Sequence, residues 1–185
     1  MSIIATPTTI SEVIVIEPKV FSDERGYLYE SFNQKDFMSA TGLQTTFVQD
    51  NHSSSKKGVL RGLHYQLKHL QGKLVRVIRG SVFDVAVDLR PSSSTFGCWV
   101  GLELSAENKK QLWIPEGFAH GFLTLSDEAQ LLYKTTDYWH PASEQCIVWN
   151  DPTLNIDWPK ITCDLIISSR DAKGLSWFDA PKFTF

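Results

Sequence analysis

SVFDVAVDLR, residues 81–90, alternates with a period of two. Val82, Asp84, Ala86 and Asp88 face one way, and Phe83, Val85, Val87 and Leu89 face the other, the signature of a β-strand. The second face is uniformly apolar and predicts a packed core. The first carries two carboxylates, which would be unremarkable on a solvated sheet and chemically useful in the mouth of a barrel. Seven further runs share the character of this one: VIVIE (13–17), GKLVRVIRG (72–80), CWVGLEL (98–104), QLWIP (111–115), HGFLTL (120–125), AQLLYKTTDYW (129–139) and CIVWN (146–150). They are short, rich in β-branched and aromatic residues, and separated by Gly, Pro, Ser or Asn. Such runs at roughly regular spacing predict an all-β sandwich or barrel.

Helical signals are sparse. NQKDFMSATG (33–42) offers Asn33 as an N-cap and Gly42 as a stop, so one short helix is expected there, with a brief turn after Asp151-Pro152 and a loop at 90–95. The 185 residues, 42% hydrophobic, suffice for one core, and a single domain spanning 1–185 is expected. A net charge of −3, from 18 basic and 21 acidic residues with no basic run, gives no electrostatic basis for binding nucleic acid or an anionic membrane. Cys98, Cys146 and Cys163 form no C-x-x-C pair, which favours a reducing compartment. With no basic start followed by a long apolar run, the chain reads as soluble and cytoplasmic.

Two stretches carry polar residues out of keeping with strands. In GVLRGLHYQ (58–66), Val59, Leu60 and Leu63 read as apolar strand, yet Arg61 and His64 sit among them beside two glycines. An unpaired buried cation is costly, so Arg61 must be compensated or face a cavity. In LWIPEGFAHGF (112–122), the Pro115-x-Gly117-x-x-His120 pattern resembles half of a cupin signature, a turn that aims a histidine into a small jelly-roll barrel. Metal-binding cupins supply two histidines one residue apart and then an acid. Here Gln66 stands in place of the second histidine, and His64 with His120 makes too few ligands, so no metal is expected. That leaves His64, His120, Arg61, Lys73 and Tyr133 in a barrel interior with no ion to organise them.

The segments FSDERGYLYESF (21–32), FVQDNHSSSKKGVLRGLHYQ (47–66), GKLVRVIRGSVFDVAVDLRPSSSTFG (72–97), LWIPEGFAHGFLTLSDEAQLLYKTTDYW (112–139) and VWNDPTLNIDWP (148–159) together resemble the dTDP-4-dehydrorhamnose 3,5-epimerase family, from about residue 10 to 176. The resemblance implies a jelly-roll, cupin-type barrel with a few short peripheral helices and no cofactor. It also implies a homodimer with exchanged N-terminal segments, and a dTDP-4-keto-6-deoxy-sugar substrate inverted at carbons 3 and 5. A single-carbon epimerase or a ketoisomerase of a related sugar is the alternative. Protons beside a ketone are acidic because an enolate forms, so inversion needs a base, an oxyanion stabiliser and an acid on the opposite face. By resemblance these roles fall on His64 as base, Asp171 of SSRDAKG as its partner, Lys73 as enolate stabiliser and Tyr133 as acid. Substrate-binding positions fall on Arg25, Glu30, Gln49, Asn51, Arg61, Lys73, His120, Trp139, Glu144 and Arg170. Of these, Arg25 and Arg61 suit a pyrophosphate, and Trp139 or Tyr138 suits the base. The chain departs from the family pattern at Leu28, usually aromatic, at Arg170, usually lysine, at Trp139, usually tyrosine, and in a shortened 67–72 loop.

Overall fold

In the computed structural model, which describes residues 3–183, two antiparallel sheets face one another. In chain order the elements are β1 (Ile3–Pro7), β2 (Ile14–Pro18), β3 (Phe21–Asp23), β4 (Gly26–Leu28), α1 (Gln34–Thr41), β5 (Gln49–Lys56), β6 (Val59–Gln66) and β7 (Lys73–Arg79). There follow β8 (Ser81–Asp88), β9 (Trp99–Ser105), β10 (Gln111–Ile114), β11 (Phe118–Thr124), β12 (Glu128–Thr135), β13 (Glu144–Cys146) and β14 (Ile166–Ile167). Short 3₁₀ turns occupy Pro141–Ser143 and Asp171–Lys173. The first sheet runs β1-β2-β10-β7-β12-β5 and the second β13-β6-β11-β8-β9, with β14 parallel to β6; β3 and β4 form a separate hairpin. This is the all-β jelly roll expected, and the helix at 34–41 sits where its signals put it. Asn33 Oδ1 accepts hydrogen bonds from the Lys35 and Asp36 amides, and Gly42 closes the helix at φ 75°, a left-handed conformation that glycine adopts without a Cβ clash.

The core between the sheets joins Val75, Val77, Leu112, Ile114, Ala129 and Leu131 of the first to Val82, Ala86, Leu104, Phe118 and Phe122 of the second. Each sheet is also covered on its back. Phe37 of α1 packs with Trp113, Ile14 and Leu74 behind the first sheet, and Ile147, Leu154, Trp177 and Phe183 of the C-terminal segment pack behind the second. That second cover gives the alternation of β8 its meaning. Val85, Val87 and Leu89 lie under the C-terminal segment, while Asp84 and Asp88, both fully buried, turn inward. Neither carboxylate is solvated. Asp88 is tied off at the strand end by Arg90, Ser93 and Thr95, and although burial works to raise its pKa, those bonds hold it down at about 2. Asp84 is left to face the barrel interior.

One strand assignment needs correction, and one strand was not read. CIVWN is not itself a strand: β13 ends at Cys146, and Ile147 makes one isolated bridge to Leu175. QDNHSSSK, with almost no apolar content, forms β5 at the sheet edge by pairing with β12.

Candidate active site

Strand register lines up the chemistry. In the second sheet His64 of β6 stands opposite His120 of β11 on one side and Cys146 of β13 on the other. In the first sheet Lys73 stands opposite Thr135, and two residues along the same face Tyr133 stands between Val75 and Asn51. The glycines of RGLH and AHGF make the β6–β11 contact possible. A Cβ on Gly62 would lie 2.6 Å from Gly121 Cα and 2.7 Å from the His120 carbonyl, and Gly62 has φ 115°. Any side chain there would wedge the two histidine-bearing strands apart.

Between the sheets opens a cavity of about 420 Å³, lined among others by Gln49, Asn51, Arg61, His64, Lys73, His120, Tyr133, Trp139, Glu144 and Arg170. Behind His64 lies Asp171, 4% exposed, whose Oδ1 is 2.8 Å from Nε2 and whose Oδ2 accepts from the Gly62 amide at 3.3 Å. Burial works to raise the Asp171 pKa, but the bonds from His64, Gly62 and Ser168 outweigh it and hold the carboxyl ionised. An anion on Nε2 leaves Nδ1 as the imidazole atom available to accept a proton. The second histidine has a matching partner: His120 Nε2 lies 2.9 Å from an oxygen of the fully buried Asp84.

Lys73 and Tyr133 come from the opposite wall. Lys73 is 7% exposed and donates to the His64 carbonyl at 3.4 Å. Burial drags its pKa down to about 8 against the pull of Asp84 and Glu144. Burial first, then Glu144, raises Tyr133, with Arg61 opposing, so the phenol keeps its proton. The mouth is laced by hydrogen bonds: Trp139 Nε1 donates to Glu144 Oε2 at 3.0 Å, Arg170 pairs with the same oxygen at 2.8 Å, and Gln49 accepts from the Trp139 amide. The arrangement can hold a polar ring with a base on one face and a proton donor on the other.

Residues 7–179 match the family described as dTDP-4-dehydrorhamnose 3,5-epimerase. The chain belongs to that family. It is 59% identical to the dTDP-4-dehydrorhamnose 3,5-epimerase of Pseudomonas aeruginosa, over 97% of this chain and 98% of that protein. It also resembles the crystal structure of the Legionella pneumophila dTDP-6-deoxy-D-glucose-3,5-epimerase in complex with dTDP-4-keto-L-rhamnose, at 50% identity and a TM-score of 0.93, covering 99% of this chain and 100% of that one. A more distant likeness is to a 3'-monoepimerase from Streptomyces bikiniensis in complex with dTDP-quinovose, at 34% identity and a TM-score of 0.85 over 92% and 86% of the two chains.

For this member of the epimerase family, eleven of the thirteen site residues named from sequence gather at the cavity: the ten that line it and Asp171 behind His64. The other two do not. Arg25 sits in the β3–β4 hairpin, exposed and bound to Asp23, and Glu30 accepts from Asn33 just before α1. Arg61 faces the cavity, as one of its two expected outcomes had it, exposed at the wall and donating to Ser55 Oγ and the Ser54 carbonyl. Sequence reasoning missed Asp84 as the partner of His120, although the inward alternation of β8 was the available signal. Gln66, noted there only as a missing ligand, has a positive task. Its amide donates to the His69 and Tyr138 carbonyls at 2.5 and 3.3 Å and accepts from the His140 amide at 2.7 Å, tying the 67–72 loop to the segment that carries Trp139.

Proposed function

We propose that the chain epimerises dTDP-4-dehydro-6-deoxy-D-glucose at carbons 3 and 5, giving dTDP-4-dehydro-L-rhamnose for dTDP-L-rhamnose biosynthesis. The observation that carries this reading is the placement of His64 with Asp171 on one wall and Tyr133 with Lys73 on the other. His64 Nδ1 removes the proton beside the 4-keto group, and Asp171 stabilises the imidazolium that results. The electron pair moves onto the ketone oxygen, where the Lys73 ammonium offsets the developing negative charge. Tyr133 then delivers a proton to the opposite face of the same carbon, which inverts it. Each inversion leaves a protonated His64 and a Tyr133 phenolate, and exchange with water resets both before the second carbon reacts. Arg61 and Arg170 suit the diphosphate, since a planar guanidinium can chelate its oxygens, and Trp139 suits stacking on thymine.

The site is completed by a second copy. The β3–β4 hairpin leaves Phe21, Tyr27 and Leu28 42%, 61% and 67% exposed around Arg25, with Lys19 over the Phe21 ring and Lys109 over the Tyr27 ring as their cover among the described residues. In a homodimer with exchanged N-terminal segments, that hairpin arm brings Arg25 and Glu30 to the partner's cavity. The working compartment is the cytoplasm, where sugar nucleotides are made, and among the described residues no helix is long and apolar enough to cross a membrane.

Single-carbon epimerisation is the alternative, favoured by the likeness to a 3'-monoepimerase. Incubation with the 4-keto sugar nucleotide in heavy water, with deuterium located by NMR, separates the two. Label and inversion at both carbons support the proposal, and label confined to carbon 3 refutes it in favour of the alternative. His64→Asn should abolish both exchange and inversion, whereas Tyr133→Phe should block inversion yet allow slow exchange from the His64 face. Equal loss of exchange in both variants would refute this division of labour.

A further inference from the structure

A third ligand-type group adjoins the His64–Asp171 pair. The β13–β6 register sets Cys146 directly opposite His64, and one donor atom from each of His64, Cys146 and Asp171 lies within 4.8 Å of the other two. The contact that the thiol makes, to the Ile147 carbonyl at 3.6 Å, is a weak one. Zinc bonds of about 2.3 Å to sulfur and about 2.0 Å to nitrogen or oxygen place tetrahedral donors roughly 3.3 to 3.8 Å apart. To admit an ion, the edges to Cys146 would contract by up to about 1 Å, and the 2.8 Å edge between His64 Nε2 and Asp171 Oδ1 would open by about 0.5 Å. A thiolate, an imidazole and a carboxylate suit Zn²⁺ and reject Mg²⁺, which prefers oxygen donors and keeps its waters.

We propose that His64, Cys146 and Asp171 form an inhibitory site for a thiophilic divalent cation such as Zn²⁺, which replaces the proton held between His64 Nε2 and Asp171. The inhibition rests on the assignment of His64 as base; the binding does not. With the metal on Nε2 and the imidazole neutral, the ring proton resides on Nδ1, the atom that must accept a proton from the sugar. The displaced Nε2 proton reaches Nδ1 through solvent, the Asp171 carboxylate is already ionised, and the Cys146 thiol releases one proton as its sulfur–metal bond forms. Net release is one proton per cation bound, so inhibition strengthens as pH rises. Burial, followed by the charge of Asp171 and Glu144, pushes the Cys146 thiol up to about 12 against the pull of Arg170, so the thiol is inert until a dication neutralises the carboxylates facing it.

The test uses the whole chain and two readouts. Co²⁺ titration should give a near-ultraviolet thiolate-to-cobalt band, lost in Cys146→Ser and in Cys146→Ala. In a turnover assay, metal-buffered Zn²⁺ should inhibit the unsubstituted chain reversibly, with full recovery on chelation and no effect of Mg²⁺. Chelation of the untreated protein should leave its rate unchanged. Either cysteine variant should keep its basal turnover and need about tenfold more Zn²⁺, or more still, for half-inhibition. Absence of the cobalt band, or equal zinc sensitivity with and without Cys146, would overturn the site. A cobalt band combined with undiminished turnover under Zn²⁺ would overturn the inhibitory claim and count against His64 as base.

Discussion

Replacing Lys73 with methionine should destroy activity and raise stability together, because the enclosure that makes its charge useful also makes it expensive. Moving an amine from its ordinary 10.5 down to about 8 corresponds to about 3 kcal/mol of penalty on the charged form. The sign follows from proton binding. Above pH 10.5 the amine is neutral in both folded and unfolded chains and contributes nothing. Between about 8 and 10.5 the unfolded chain holds a proton that the folded chain does not, so stability rises with pH, and below 8 the whole penalty is present. Lys73→Met should therefore melt above the unsubstituted chain at pH 7, by about 2 to 4 °C for each kcal/mol recovered. That gap should close as the pH approaches 10.5. In the same enzyme, kcat/KM of the unsubstituted chain should decline through an alkaline limb near pH 8 as the ammonium is lost, whereas Lys73→Met should be slower by about 10² to 10³ at neutral pH. Calorimetric melts of both proteins at a series of pH values, run beside initial rates, measure both effects. A melting gap independent of pH, with no alkaline limb near 8, would refute the account of a buried, destabilised cation at the enolate oxygen.

Other expectations concern how substrate is held. Trp139→Ala should raise KM with little change in kcat, losing on the order of 1 to 3 kcal/mol of base stacking; an unchanged KM would move stacking to the exposed Tyr138. Gln66→Met, similar in volume but without hydrogen bonds, should weaken dTDP binding by about 1 to 3 kcal/mol while sparing kcat, because the loop under Trp139 loses its tie; calorimetric affinity equal to that of the unsubstituted chain would count against this. Arg25→Ala and His64→Asn, each inactive alone, should recover activity when unfolded and refolded together. In a mixed dimer with exchanged arms, one cavity then holds an intact His64 and an intact Arg25. Failure to complement, with mixed dimers demonstrated, would place Arg25 outside the partner's site.

Residues whose role is set within one strand were the legible ones. Period-two alternation located β8 and put its two carboxylates on one face, leaving open whether that face was solvated or inward, and a side-chain cap and a left-handed glycine bounded α1. Whatever depends on what lies across the strand could not be read locally. QDNHSSSK has almost no apolar content, and only its pairing with β12 makes it a strand that points Gln49 and Asn51 at the cavity. Arg61 was expected to be compensated or to face a cavity, and it lines the cavity, though how far it is exposed there depends on the strands around it. The His120–Asp84 pair joins residues 36 positions apart through the β11–β8 register, which no short motif encodes. Arg25 and Glu30 were named by resemblance alone, and a single copy of the chain does not carry them to the cavity.

With His64 on one sheet and Tyr133 on the other, the proposed division into base and acid would make the interior packing a spacer between the two groups. The distance from imidazole to phenol is set by the apolar layer of Val75, Leu112, Leu131 and Val82 between the sheets, with Phe122 reaching from that layer to the cavity wall. Packed sheets settle about 10 Å apart, and a core filled at crystal-like density resists compression. Trimming Phe122 would let the walls relax toward one another, and enlarging Val75 would drive them apart. Either change should alter how often a planar enolate, once formed, is protonated from the far side rather than recaptured from the near one. Stereochemical fidelity, in this architecture, is a mechanical property of the hydrophobic layer.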